Sequence, residues 1–381
     1  MVGRVPIGVA GLAILLFVQS KSGSFAQAGA VSALYVFGLA VLAPFIGRLI
    51  DRLGPRPMLL AGAVVYPAAL FALVLLVSYA AAWWWIAASA LLAGAMLPPI
   101  TICMRALFPR LLADPGLLQT AYSVDSALVE TIFILGPTLI AAFVALGYPG
   151  GAVIFAAACA AIGGVIFMRS PAIRRWTPPA PQVQRSLLGP LQYPQLLALF
   201  AATVLYSVAF GLFEVAVTAF AAAQGMPAAA GVILALASLG SALGVLIYGS
   251  HDWALPAPRQ YLLAQLAMAV GILALAPVTN VYAFALLSIV ACAPMAPVVA
   301  VQSVLISRLA PRAMLAESFT WAATCLLGGI SAGIAAGGML VEHWPPSRVL
   351  VAAAGTTAAA GIIVWARLSG AKAVAADTAH Y

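Results

Sequence analysis

Apolar residues run through this chain in long stretches, each closed by a short polar break. The runs occupy 5–20, 27–47, 58–79, 83–104, 120–145, 150–168, 196–222, 228–249, 260–278, 281–305, 317–341 and 347–366. Within them the apolar character is continuous, unlike the short alternating segments of a membrane barrel. Each run therefore predicts a helix. A bilayer core takes about 20 helical residues per crossing, so the pattern predicts twelve membrane-spanning helices. The breaks carry turn chemistry: "KSGS" at 21–24, "GYPGG" at 147–151, "QGMP" at 224–227 and "HWPP" at 343–346. Trp83-Trp84-Trp85 opens the fourth run. Three consecutive tryptophans there read as an anchor at headgroup level.

Composition turns this pattern into a requirement. Hydrophobic residues make up 65% of the 381 and charged residues 7%, with a mean hydropathy of +1.12. Soluble domains hold about 25% charged residues. This chain lacks the polar surface to be soluble and must use lipid as its solvent. In lipid the backbone groups of each span must be satisfied internally, which helices do. The fold class expected is an all-α polytopic membrane protein.

Charge then orients it. With a cytoplasmic N-terminus, fifteen of the 17 Lys and Arg residues fall on the inner face, and only Lys21 and Arg348 fall outside. Positive loops stay in the cytoplasm, so both termini are expected inside, at the plasma (inner) membrane. The same bias accounts for the net charge of +8 without nucleic acid. The polar stretch 169–195 is rich in Pro and Arg and reads as a semi-rigid linker. It divides the chain into six-helix bundles at 1–168 and 196–367, with a cytoplasmic tail at 368–381.

The two halves resemble each other. "GRLI" at 47–50 matches "GVLI" at 244–247, and "LPPITICMRALFPRL" at 97–111 matches "MAPVVAVQSVLISRL" at 295–309. Internal duplication of this kind is a transporter signature. An offset of about 200 residues also sets Arg4 opposite Tyr206, well inside the seventh run. The first span is then expected to lack roughly two turns of a full crossing, as if the start site were assigned too late. Arg4 would lie at membrane depth.

One stretch breaks the avoidance of charge. "GRLIDRLGPRP", 47–57, holds Arg48, Asp51, Arg52 and Arg56 among Gly47 and Gly54. It is expected to be a short cytoplasmic loop between the second and third spans. Glycines permit close backbone approach and positive φ. An aspartate facing a helix N-terminus gains about 0.3–1 kcal/mol. Gly47, Asp51, Arg52, Gly54 and Arg56 resemble the loop 2–3 motif of the major facilitator superfamily. The resemblance implies that superfamily's fold, two six-helix bundles, and a secondary transporter working by alternating access. It also implies that Asp51 faces the start of the eleventh helix and latches a cytoplasmic gate. Here that start lies near Ala316 and Glu317, and Glu317 is expected to attract Arg48, Arg52 or Arg56. "LGPT" at 135–138 is similar to part of the antiporter motif in the fifth helix, keeping its Gly-Pro pair without the flanking glycines.

Acidic residues inside the runs are the remaining candidates, since each costs roughly 2.5–3.5 kcal/mol at the bilayer centre. They are Asp125, Glu130 and Glu214. Glu130 falls near the midplane, with Arg4 as its expected partner if the first helix packs near the fifth. Gln302, Tyr206, Tyr122 and Thr101 are polar positions able to read a substrate. These readings predict proton-coupled efflux of a small molecule, with uptake of a sugar or organic acid as the alternative. A polytopic enzyme would need a nucleophile–base pair or metal ligands in the spans. His251, His343 and His380 all lie in breaks or the tail, and Cys103, Cys159, Cys292 and Cys325 lack metal spacing. No phosphate-binding G-x-x-x-x-G-K-[ST] occurs. No enzyme activity, metal or cofactor is expected. The expected partners are substrate, protons and lipid, with the chain a monomer.

Overall fold

The computed structural model describes residues 1–176, 189–226 and 229–368. Much of the expected linker, including Arg185, and the tail beyond 368 with Lys372 lie outside the described residues. All regular elements among the described residues are helical. A 3-10 turn at Val2–Arg4 precedes α1 (Pro6–Ser22), α2 (Phe25–Leu53), α3 (Pro55–Ser78), α4 (Trp83–Ala95), α5 (Ile100–Leu111), α6 (Pro115–Ala145), α7 (Pro149–Met168) and the short α8 (Pro171–Arg174). Then follow α9 (Pro194–Ala223), α10 (Ala229–Gly249), α11 (Ala257–Leu275), α12 (Val281–Cys292), α13 (Met295–Leu309), α14 (Leu315–Val341) and α15 (Pro346–Leu368). Eleven segments are long and apolar enough to cross a membrane, and α1 adds a shorter apolar helix.

Three features depart from the sequence reading. The fourth run is two helices, α4 and α5, separated at Met96–Pro99, where Pro98 and Pro99 supply no N–H to continue the ladder. The tenth run is likewise split into α12 and α13 around Ala293 and Pro294. And 47–57 is barely a loop. Helix α2 runs to Leu53, Gly54 alone turns the chain, and α3 starts at Pro55. Gly54 adopts φ +83°, a conformation that favours glycine, and Pro55 is pre-set for a first helical position.

The outward surfaces are apolar. Phe37, Phe71, Leu246, Val270, Leu286 and Val290 are all more than half exposed, as lipid-facing side chains are. Trp84 and Trp85 are exposed at the start of α4, as headgroup anchors would be. Helix α1 has 17 residues and α9 has 30.

Packing divides the chain into two compact units. One holds α1–α4, α5 to Leu107, α6 from Thr131, α7, α8 and Pro311–Thr320. In it α1 packs on α2 and α7, α3 on α4 and α7, and α2 on α4. The other holds Phe108–Glu130, α9–α13, α14 from Trp321, and α15. There α9 packs on α10 and α15, α11 on α12 and α15, and α10 on α12. The same scheme is used twice, as the repeated sequence implies. The units are not the sequence halves, because each takes part of α6 and of α14.

Candidate functional site

The motif residues gather where α2 meets the start of α14. Asp51 is fully buried, and its carboxylate accepts two backbone hydrogen bonds. Ala316 N–H donates to Oδ1 at 3.1 Å and Glu317 N–H to Oδ2 at 2.8 Å. These are the second and third residues of α14, whose N–H groups have no partner inside the helix. Asp51 thus supplies a cap from a different helix. The partial positive charge of the helix N-terminus attracts the carboxylate.

Arg48, one turn before Asp51, completes the joint. Its Nη2 lies 2.6 Å and its Nε 3.1 Å from Glu317 Oε1. Glu317 is 3% exposed at its side chain and Arg48 24%. The backbone of Glu317 therefore serves Asp51 while its carboxylate serves Arg48, which keeps the two acids apart. Of the three arginines proposed for Glu317, Arg48 takes the place; Arg52 and Arg56 are exposed. Gly47 makes the close approach possible. A Cβ there would lie 2.8 Å from the Glu317 Cα and clash with the Thr320 side chain.

The intramembrane carboxylates fall elsewhere. Glu130, on α6, accepts a hydrogen bond from Ser241 Oγ of α10 at 3.1 Å. This serine is the hydrogen-bond partner of Glu130, in place of the arginine, Arg4, expected from the sequence. Ser241 Oγ in turn accepts from Ala296 N–H at 3.0 Å. Ala296 is the second residue of α13, so the serine caps the second piece of the interrupted helix. Asp125 is fully buried on α6. Glu214 is half-buried on α9. Arg4 is buried in the 3-10 turn before α1, a turn that packs on α7. Gln302 is 5% exposed on α13, and its Oε1 has no hydrogen-bond partner among the described residues; neither has Thr101 Oγ1 on α5. Tyr206 and Tyr122 are buried, the latter edge-on to Phe108 at 5.4 Å. The sequence reading missed Ser241. A signal was present: Ser241 follows the first glycine of "GSALG", 240–244, a G-x-x-x-G spacing that lets helices approach closely.

In the second half the position matching Asp51 carries no charge. Tyr248 holds the aspartate position and donates to Gln260, while Trp253 Nε1 donates to Tyr248 O at 2.9 Å. Thr120 Oγ1 of α6 donates to Gly249 O at 3.1 Å. The start of α6 is capped by its own Asp114, which accepts from Leu117 N–H at 2.9 Å.

The sequence profile of the Major Facilitator Superfamily matches residues 6–255. The chain belongs to that superfamily. Solved structures agree on the fold of this superfamily member. A bacterial homologue of the iron transporter ferroportin, in an outward-facing state, superposes with a TM-score of 0.80 at 13% identity, covering 95% of this chain and 96% of that one. The human organic anion transporter MFSD10 gives 0.74 at 15% identity, over 95% and 97%. The E. coli fucose:proton symporter FucP gives 0.68 at 14% identity, over 94% and 97%. No curated protein matches this superfamily member in sequence.

Proposed function

We propose that the chain is a secondary active transporter that exports a small molecule in exchange for protons by alternating access, at the plasma (inner) membrane, with both termini cytoplasmic. The observation that carries the reading is the joint between α2 and α14. A buried carboxylate caps the N-terminus of a helix more than 260 residues away in sequence. Such a joint holds only while the two helix ends stay together, and water can replace it when they part. That is the behaviour required of a gate. The repeats 1–168 and 196–367 are the bodies that the gate couples.

Proton coupling rests on Glu130, a carboxylate at membrane depth whose hydrogen bond comes from a neutral hydroxyl. Such a group can exchange a proton without breaking an ion pair. Proton symport is named for FucP, which shares the fold. For export the chain offers Gly136-Pro137 of α6, the part of the antiporter motif it keeps without the flanking glycines. Gln302 Oε1, buried on α13 without a hydrogen-bond partner among the described residues, is the acceptor assigned to a substrate.

The test is flux. The purified protein is reconstituted into vesicles holding an internal pH dye, and small cationic, neutral and anionic compounds are offered in turn. Export by exchange predicts that at least one compound crosses against its gradient while dissipating an imposed proton gradient, in protein-dependent fashion. Substrate and protons moving in the same direction would replace export by symport.

A further inference from the structure

The interrupted tenth span joins Glu130 through one side chain. Helix α13 starts just after the break, and its N-cap residue, Pro294, provides no side-chain hydrogen bond. Proline cannot donate to a neighbour either. The N–H of Ala296 is satisfied instead by Ser241 Oγ, and the hydroxyl proton of that serine points to Glu130. The approach is set by glycine. A Cβ on Gly240 would collide with Ile289 O, and one on Gly244 with Ala293 O. Helix α10 therefore lies backbone to backbone against the end of α12 and the break itself, with Ser241 in the contact.

We propose that Ser241 is the positioning residue through which the protonation of Glu130 sets the conformation of the break between α12 and α13. The reasoning follows donors and acceptors, and it rests on the reading of Glu130 as the proton site. An ionised carboxylate only accepts. It fixes the serine proton toward itself and leaves the serine lone pairs for Ala296 N–H. A protonated carboxyl has an O–H of its own. That O–H takes one of the two serine lone pairs and turns the hydroxyl away from its place, so Ala296 N–H loses its alignment and the cap on α13 weakens. Ser241 has no equivalent in the first repeat, where the matching stretch carries Ala43 and Pro44. The device thus belongs to one repeat only.

Cys292, the last residue of α12, lies near enough to Glu130 to feel its charge. Asp125 lies on the same helix, more than a turn away, and α10 contributes Ser241, which is neutral.

Hydrogen–deuterium exchange tests the proposal without any substrate. The full chain in lipid nanodiscs is labelled between pH 5 and 7.5, and rates are corrected for the intrinsic pH dependence of exchange. Peptides covering Met295–Leu309 are compared in the wild type, Ser241→Ala and Glu130→Gln. In the wild type, protection at the start of α13 falls as the pH is lowered. Ser241→Ala exchanges roughly five- to tenfold faster there at every pH, as expected for one lost hydrogen bond, and shows no pH response. Glu130→Gln also shows none. A pH response kept by Ser241→Ala but lost by Glu130→Gln overturns the role of Ser241 and leaves Glu130 as the proton site. A response kept by Glu130→Gln overturns both. A wild type without any response overturns the inference as well.

Discussion

Asp51→Asn is the most direct perturbation of the proposed gate. The side chain keeps its shape, and one oxygen still accepts from α14. The other oxygen becomes an NH2 group facing a backbone N–H 2.8 or 3.1 Å away, so two donors meet. A hydrogen bond to a charged group contributes about 1.5–3 kcal/mol. The loss of charge at a helix N-terminus costs about 0.3–1 kcal/mol, or up to about 2 when buried. Asp51 is fully buried, so solvent does little to reduce these values. The joined state should weaken by about 3 kcal/mol, roughly a 100-fold shift in the closed-to-open ratio.

Thr320 provides the reporter. It is 1% exposed and packs beneath Gly47, so it becomes reachable when α2 leaves α14. A Thr320→Cys protein with the four native cysteines replaced is treated with a maleimide, and the alkylation rate is measured with and without Asp51→Asn. The rate should rise by up to about 100-fold, while expression and helix content hold. If the rate stays within about twofold and transport is normal, the joint is not a gate, and the arginines of the motif serve topology alone.

Three further outcomes are expected. Gly47→Val places two methyl groups where a Cβ already meets Glu317 Cα, so transport should fall at least tenfold with insertion intact; normal flux would show that the close approach is dispensable. Cysteines at Ser186 and Ser24 should react with an impermeant reagent from opposite sides of the membrane, and labelling from one side only would refute the twelve-span topology. Glu130→Gln should abolish gradient-driven accumulation while leaving counterflow exchange, and pH-dependent accumulation by this variant would remove Glu130 from the coupling.

The spans were legible because lipid imposes a simple requirement, long apolar runs, that the chain meets almost without exception. The repeat was legible as well, since the offset near 200 residues reappears as the same packing scheme in each set of helices. The joint at α14 could be anticipated from Asp51 and Glu317, but the choice of Arg48 could not. It depends on helical phase: Arg48 sits one turn from Asp51, a phase that a motif read as a loop does not reveal. The breaks were missed because hydropathy carries straight across Pro98-Pro99 and Pro294. Ser241 was missed because a serine is unremarkable in a sequence; its role arises from an acid on α6 and an unfilled N–H on α13, both distant in the chain.

The two joints rest on the same physical shortage. A helix start leaves N–H groups unpaired, and in a dry environment each one costs several kcal/mol. Some helices meet this locally, as α6 does with Asp114 and α12 with Asn280. Helices α14 and α13 meet it with side chains from α2 and α10. A local cap travels with its helix and is indifferent to motion. A cap from another helix ties two helices together, and it survives separation only if water or a new partner takes over. The charged cap on α14 is the stronger and needs water to open. The neutral cap on α13 is the weaker and lies within reach of a carboxylate that can gain or lose a proton. Under the proposed proton-driven transport, the first joint serves as the firm latch and the second as the softer joint that a proton can shift.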